Sequence, residues 1–241
     1  MLDEALDLFL GSRCVGCDRP GRMLCVECRG ALSVRARPAW PTPVPTGLVS
    51  PWASEAYDGA VRALVVGHKD RGQWGHRRVL GELLAEAVRG ASADLEPTVP
   101  LLLVPVPSRP GAGRQRGYEA TAALVRSAAG RLQRERPVVV APLVVSRGAA
   151  DQAGLDAAGR AANVRHSMHC PSATLARVAR RWPTAYVVVC DDVLTTGATA
   201  REAQRALESV GLAPVAIAAV AATRRTSRQV TRTVGLGPRK G

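Results

Sequence analysis

Aromatic residues are scarce in this chain: Phe, Trp and Tyr together make up 3% of its 241 residues. A core must then be assembled from Ala, Val and Leu. That is feasible, because hydrophobic residues still reach 46%, too many for a disordered chain. So few aromatics also argue against a platform on which single-stranded bases stack. Long apolar runs are missing as well; none approaches the ~20 residues that a membrane-spanning helix needs. The start, "MLDEALDLFLGSRC", has acidic residues and no basic leading stretch, so it does not read as a secretory signal. These absences predict a soluble, cytoplasmic protein with no membrane insertion.

Acidic residues are outnumbered. Lys and Arg total 33 against 20 Asp and Glu, a net charge of +13. Such a balance suits a polyanionic partner, either nucleic acid or a small ligand with several phosphates. An arginine-rich proteome would give the same bulk charge, so where the arginines sit matters more than their number.

Composition divides the chain. Residues 1–36 hold four of the six cysteines. Residues 37–51, "RPAWPTPVPTGLVSP", are rich in proline, lack periodicity and read as a linker. Residues 52–223 alternate continuous apolar runs with helical patterns. The runs are 99–106, 137–145, 185–190 and 214–222, and the helical patterns cover roughly 75–90, 117–134, 155–164 and 198–210. Strands that are apolar throughout are buried on both faces, as in a parallel sheet. The expected fold class is therefore α/β: an open, mainly parallel twisted sheet with flanking helices, plus a small N-terminal module. Ligands of such sheets sit at the carboxyl ends of the strands. Residues 224–241 read as a basic surface tail.

The N-terminal module carries "CVGC" (Cys14, Cys17) and "CVEC" (Cys25, Cys28). Two such turns can bring four thiolates to one tetrahedral zinc ion. So short a segment cannot bury a core, so metal binding would supply its folding energy. Disulfides suit secreted chains, and a redox CxxC normally sits at a strand end within the fold rather than in a separate N-terminal piece. Four thiolate ligands leave no open position, which makes the expected zinc structural. Cys170 and Cys190 read as small buried hydrophobes.

The densest chemistry lies in "VVVCDDVLTTGAT", Val187–Thr199. A strand ends in Asp191 and Asp192, and a Thr/Gly turn then leads into a helix. The carboxylates accept hydrogen bonds, suiting ligand hydroxyls or a hydrated cation. The turn donates them, and a helix N-terminus attracts a phosphate. A sugar phosphate with vicinal hydroxyls satisfies both halves. No GK[ST] follows, which excludes a nucleoside-triphosphate P-loop.

This segment resembles the thirteen-residue signature of type I phosphoribosyltransferases, which bind 5-phosphoribosyl 1-diphosphate (PRPP). "LVPVPSRPGAGRQRGYEATAALV", "SRGAADQAGLDAAGRAANV" and the four-cysteine knuckle resemble corresponding parts of the ComF family within that group. The resemblance implies that Asp191 and Asp192 bind the ribose 2′- and 3′-hydroxyls. It implies that Thr195, Thr196, Gly197, Ala198 and Thr199 cradle the 5′-phosphate, and that Mg²⁺ bridges diphosphate and ribose oxygens. The leading expectation is thus a phosphoribosyltransferase that displaces diphosphate from PRPP, with two other roles as alternatives. ComF relatives are associated with DNA uptake in transformation, so the chain would be a DNA-handling accessory protein binding single- or double-stranded DNA. Alternatively it would sense PRPP without turning it over.

Further candidates follow from the same pattern. Ser108, Arg109, Arg114 and Arg116, after the run 99–106, suit a diphosphate or form a solvated basic loop. Lys69, in "HKD", stands where the family has a lysine that would contact PRPP; a surface lysine is the other reading. His68 beside it carries no functional signal. Arg147, Gln152, Arg160 and Asn163 match polar positions of a loop expected to close over the site. Two departures concern the acceptor side. Ala149 replaces the family's Thr, and Glu119 and Ala120 stand where it has Asn and Gln. Residues 221–228 fall where a nucleobase contact often lies in this fold, and read equally as surface.

Overall fold

The computed structural model describes residues 13–108, 118–146 and 167–223. Its centre is a six-stranded sheet in the order β1-β2-β8-β7-β3-β4. The strands are β1 (Arg37–Pro38), β2 (Pro51–Ala56), β3 (Leu101–Pro105), β4 (Val138–Val140), β7 (Tyr186–Leu194) and β8 (Ala216–Ala222). Only β1 runs antiparallel to its neighbour. A separate antiparallel pair joins β5 (Val145–Ser146) to β6 (Met168–His169). The fold is thus α/β with a mixed, mostly parallel sheet. The apolar runs cause this: every residue of β3 and nearly every residue of β8 is buried, so neither strand has a face for water.

The helices are α1 (Val26–Gly30), α2 (Gly59–Asp70), α3 (Arg77–Ala91), α4 (Ala120–Leu132), α5 (Ser172–Arg181) and α6 (Ala198–Glu208), with a 3₁₀ turn at Trp74–His76. They cover the sheet on both sides. One cluster joins Leu64, Leu84 and Leu124 of α2, α3 and α4 to Val188, Cys190 and Val220. The other joins Ala203 and Leu207 of α6 to Val187, Val189 and Ile217. Successive residues of β7 enter opposite clusters, as strand alternation requires. The lack of large side chains is met by close approach. Ala218, Ala219 and Ala221 line β8, and Ser54 on β2 donates its hydroxyl to Leu83 O of α3 at 2.5 Å.

From β3 the sheet extends to β4; from β7 it extends the other way, to β8. Strand order therefore reverses between β3 and β7, which opens a crevice at their carboxyl ends.

Several expectations need correction. The apolar run 137–145 is not one strand. β4 stops at Val140, and Val145 pairs with His169 in the small sheet, because Pro142 interrupts the run and cannot donate to a ladder. The strand expected to end at Cys190 continues through both aspartates to Leu194, held by pairing with β8. Helix α5 was not anticipated; it buries no residue and is studded with arginines, so it carries little apolar signal. The helix expected at 155–164 lies outside the described residues. The proline-rich segment is not a free linker. Its first residues form β1, and the rest is hydrogen-bonded to α6: Arg201 Nε donates to Thr46 O (3.0 Å) and Gln204 Nε2 to Gly47 O (2.8 Å).

Candidate functional site

The end of β7 holds two buried carboxylates; Asp191 is 8% exposed and Asp192 4%. Each Oδ1 accepts the next backbone N–H, Asp192 N to Asp191 and Val193 N to Asp192, both at 2.8 Å. Asp192 Oδ2 takes the ammonium of Lys69 at 2.6 Å. Burial and the neighbouring Asp192 charge push the Asp191 carboxyl up to about 7, with Lys69 opposing the shift. The pair is thus an acceptor-rich, incompletely neutralised edge at the mouth of the crevice.

The Thr/Gly turn follows directly. Gly197 is the N-cap of α6 and has φ +73°, a left-handed conformation that favours glycine. A Cβ there would also stand 3.0 Å from Pro41 Cγ and 3.3 Å from both Leu48 Cδ2 and Pro45 Cγ. The proline-rich segment therefore braces this turn. Thr195 and Thr196 are exposed. Among the described residues no acceptor is found for the N–H groups of Thr195, Thr196 and Gly197, while Ala198 N donates to Thr196 Oγ1 at 3.4 Å. Thr199 lies in the first turn of α6. An unfilled set of donors at a helix start suits an anion. Thr223, after β8, ties in the turn: its N donates to Leu194 O (3.1 Å) and its hydroxyl to Thr195 O (3.5 Å).

Ser108 sits two residues beyond Val106, whose N donates to Cys190 O at 2.8 Å, so the exit of β3 adjoins that of β7. Ser108 Oγ is shielded and lacks a hydrogen-bond partner among the described residues. Its backbone N meets Glu119 Oε2 at 3.4 Å, so Glu119, one of the departures from the family pattern, braces this exit. Lys69 belongs to the last turn of α2 rather than to a connection after it. His68 is 2% exposed; its Nε2 lies 3.3 Å from Ala120 O and its ring meets Tyr118 edge-on at 5.6 Å. Tyr118 donates its hydroxyl to His68 O and packs against Trp74, ring centroids 5.8 Å apart. His68 thus anchors the helix end that presents Lys69. Neither Tyr118 nor Trp74 stood out in the sequence, since a lone aromatic has no spacing to read.

The structure brings together Asp191, Asp192, Lys69, the turn 195–199 and the exit at Ser108. Arg109, Arg114, Arg116, Arg147, Gln152, Arg160 and Asn163 lie outside the described residues, as does Ala149.

The cysteines form a second centre. The sulfur atoms of Cys14, Cys17, Cys25 and Cys28 all lie within 4.8 Å of one another, and Cys17 Sγ is 3.7 Å from Cys25 Sγ. Four bonds of ~2.3 Å at tetrahedral angles would set sulfurs about 3.8 Å apart, so the cluster fits zinc. Backbone N–H groups already point at sulfur: Cys25 N and Gly16 N at Cys14 (3.3 and 3.4 Å), Cys28 N at Cys25 (3.4 Å). Burial would raise the Cys14 thiol, yet the N–H groups of Cys25, Gly16 and Cys17 bring it down to about 6. The other three thiols, Cys25 first, push Cys28 up to about 12. Four crowded thiols that cannot all ionise alone are what a divalent cation resolves. The four cysteines can hold a metal ion such as zinc. Cys190 is buried and its thiol is driven upward by burial, then by Asp191, in keeping with a packing role; Cys170 Sγ donates to Ala206 O at 3.3 Å.

The module is seated on the fold. Val15, Leu24, Leu32 and Val34 pack against the α2–α3–α4 cluster, and Arg29 pairs with Glu82 of α3 at 2.5 Å. A Cβ on Gly16 would lie 2.8 Å from Cys28 Sγ and 3.4 Å from Ala60 Cβ of α2.

Among the described residues no helix is long and apolar enough to cross a membrane. The chain matches no known family model and no curated protein.

Proposed function

We propose that this chain binds PRPP as a phosphoribosyltransferase-type protein of the ComF kind, with Mg²⁺, and that its cysteine module holds a structural zinc ion. One observation carries the reading. Two buried adjacent carboxylates lead straight into a turn of unfilled N–H donors, at the point where strand order reverses. A 5-phosphorylated pentose is complementary to both halves at once.

In this reading Asp191 and Asp192 accept from the 2′- and 3′-hydroxyls, and the turn 195–199 donates to the 5′-phosphate. Breaking the C1–O bond sends its electron pair out with diphosphate and leaves positive charge on the anomeric carbon and ring oxygen. A buried anionic edge stabilises that charge before a nucleophile arrives. Lys69 pairs with Asp192 and, once ligand hydroxyls take over the carboxylate, can turn its charge to the diphosphate. Ser108 Oγ, shielded and without a partner among the described residues, is placed to donate at the β3 exit. Mg²⁺ supplies neutralisation of the diphosphate when bound.

Calorimetric titration with PRPP and Mg²⁺ tests this, comparing the parent with Asp191→Asn/Asp192→Asn. The parent should bind and the double variant should lose at least tenfold in affinity. A parent that binds no PRPP overturns the reading. Diphosphate release over a panel of nitrogenous bases identifies a transferase; binding without release identifies a sensor.

A further inference from the structure

Away from the aspartates, α3 and α4 enclose an open cleft of about 660 Å³. Five arginines line it: Arg77 and Arg78 from the start of α3, Arg126 and Arg131 from α4, and Arg134 just beyond. Ser127 completes its polar lining, and no acidic residue takes part. None of these residues belongs to the aspartate site.

Several arginines elsewhere in this fold are matched. Arg29 pairs with Glu82, Arg89 with Glu86 and Glu135, Arg201 with Glu208, and Arg205 with Glu202. In the cleft, four of the five are not matched. Among the described residues Arg77, Arg78, Arg126 and Arg134 make no ion pair. The sequence explains why: α4, "ATAALVRSAAGRL", contains no acid, and the first turn of α3 contains none. The one constrained member is Arg131. It donates to Ser127 O at 3.1 Å and to Arg78 O at 3.0 Å, so it clamps the two helices and fixes the floor between the others. Ser127 Oγ adds a second tie, to Arg77 O at 3.3 Å. The helices also touch closely here, for a Cβ on Gly81 would come 2.3 Å from Ser127 Oγ.

Four guanidinium groups with no ion pair among the described residues repel one another until an anion fills the space. Arginine forks match phosphate oxygens in pairs. The cleft is too large for one phosphate. No aromatic side chain lines it, so it offers bases nothing to stack on and reads phosphate alone. We propose that it is a second anion site, separate from the aspartate edge and independent of its assignment, that holds a chain of linked phosphates. An oligophosphate and the backbone of a nucleic acid share that chemistry.

The test uses the full chain and two probes: inorganic tripolyphosphate by calorimetry, and a labelled twelve-nucleotide thymidine oligomer by anisotropy over a range of salt. The variant carries Arg78→Glu, Arg126→Glu and Arg134→Glu. The control carries Arg177→Glu, Arg180→Glu and Arg181→Glu on exposed α5, which changes net charge equally. The parent should bind at least one probe. The cleft variant should lose at least thirtyfold in affinity for it, while the control loses less than threefold. For the oligomer the salt slope should fall by about 2, since each backbone contact contributes about 0.7. Binding of tripolyphosphate alone assigns the site to small oligophosphates; oligomer binding that tripolyphosphate displaces assigns it to nucleic-acid backbone. Equal losses in cleft variant and control, or a parent that binds neither probe, overturn the proposal. Arg78→Lys/Arg126→Lys/Arg134→Lys, which keeps the charge but not the fork, should lose less affinity than the Glu variant and separates a lost site from a lost fold.

Discussion

Lys69 Nζ meets Asp192 Oδ2 at 2.6 Å, joining the last turn of α2 to the end of β7 across 123 positions of sequence. Asp192 is buried while the Lys69 side chain is 38% exposed, so removing the lysine strands a carboxylate beside another carboxylate. Lys69→Met should therefore destabilise the protein at pH 8 by about 1–3 kcal/mol, between the values for exposed and buried pairs. Asp192→Asn in the same background should recover part of the loss. Urea unfolding of the two single variants and the double variant measures the coupling; strictly additive effects would show that the contact contributes nothing.

Asp191 gives the stability a pH dependence of definite sign. Its folded carboxyl titrates near 7 rather than near its ordinary value of 3.8. Between those values the folded state keeps a proton that the unfolded state has released. Ligand-free protein should thus lose stability as pH rises from about 4 through about 7 and level off above, by at most ~4 kcal/mol from this group. Asp191→Asn should flatten the profile across that window. Denaturation midpoints at intervals of half a pH unit are the measurement; an unchanged slope in the variant counts against the shift.

At Gly197 two constraints coincide, a left-handed φ and a crowded wall of Pro41, Pro45 and Leu48. Gly197→Ala should cost roughly 1–3 kcal/mol from strain and displacement of the proline segment. Gly211→Ala, also at positive φ but with open space around it, should lose only the strain contribution. Thermal unfolding of both variants separates crowding from backbone strain, and equal losses would remove the bracing role of the prolines.

The cysteine cluster predicts about one zinc per chain by elemental analysis. A strong chelator at pH 7 should remove it and lower the melting temperature of the whole protein, because Val15 and Leu24 rest on the main core. Cys28→Ser should reduce zinc content and mimic the chelated protein. Protein that is metal-free as purified and unmoved by chelator would refute the site.

The sequence made some of this legible and hid the rest for physical reasons. Strands buried on both faces announce themselves as unbroken apolar runs, so β3, β7 and β8 were located within a few residues. The aspartate pair and the Thr/Gly turn are contiguous, as are the two CxxC turns, and local spacing carries them. What stayed hidden depends on distance. Lys69 was picked out by position, but its partner could not be read until α2 folded back over β7. Prolines 41 and 45 resembled linker punctuation because nothing local reveals that they lean on Gly197, some 150 residues later. The arginine cleft was diluted in a chain already rich in arginine. Only the juxtaposition of α3 and α4, and the lack of acids lining the cleft between them, distinguishes those side chains from the others.

Helix α2 has one more consequence. Its first turn lies against the cysteine loop, through Ala60 and Gly16, and its last turn offers Lys69 to the aspartates. Twelve residues, about 18 Å, connect the two centres. The knuckle is accordingly not an interchangeable tag. Grafted elsewhere it would lack the surface that seats it, and a chain trimmed of it would bare apolar side chains at the root of the helix that aims the lysine. Cysteine cluster and aspartate edge share one mechanical part, and variation in either has to be tolerated by both.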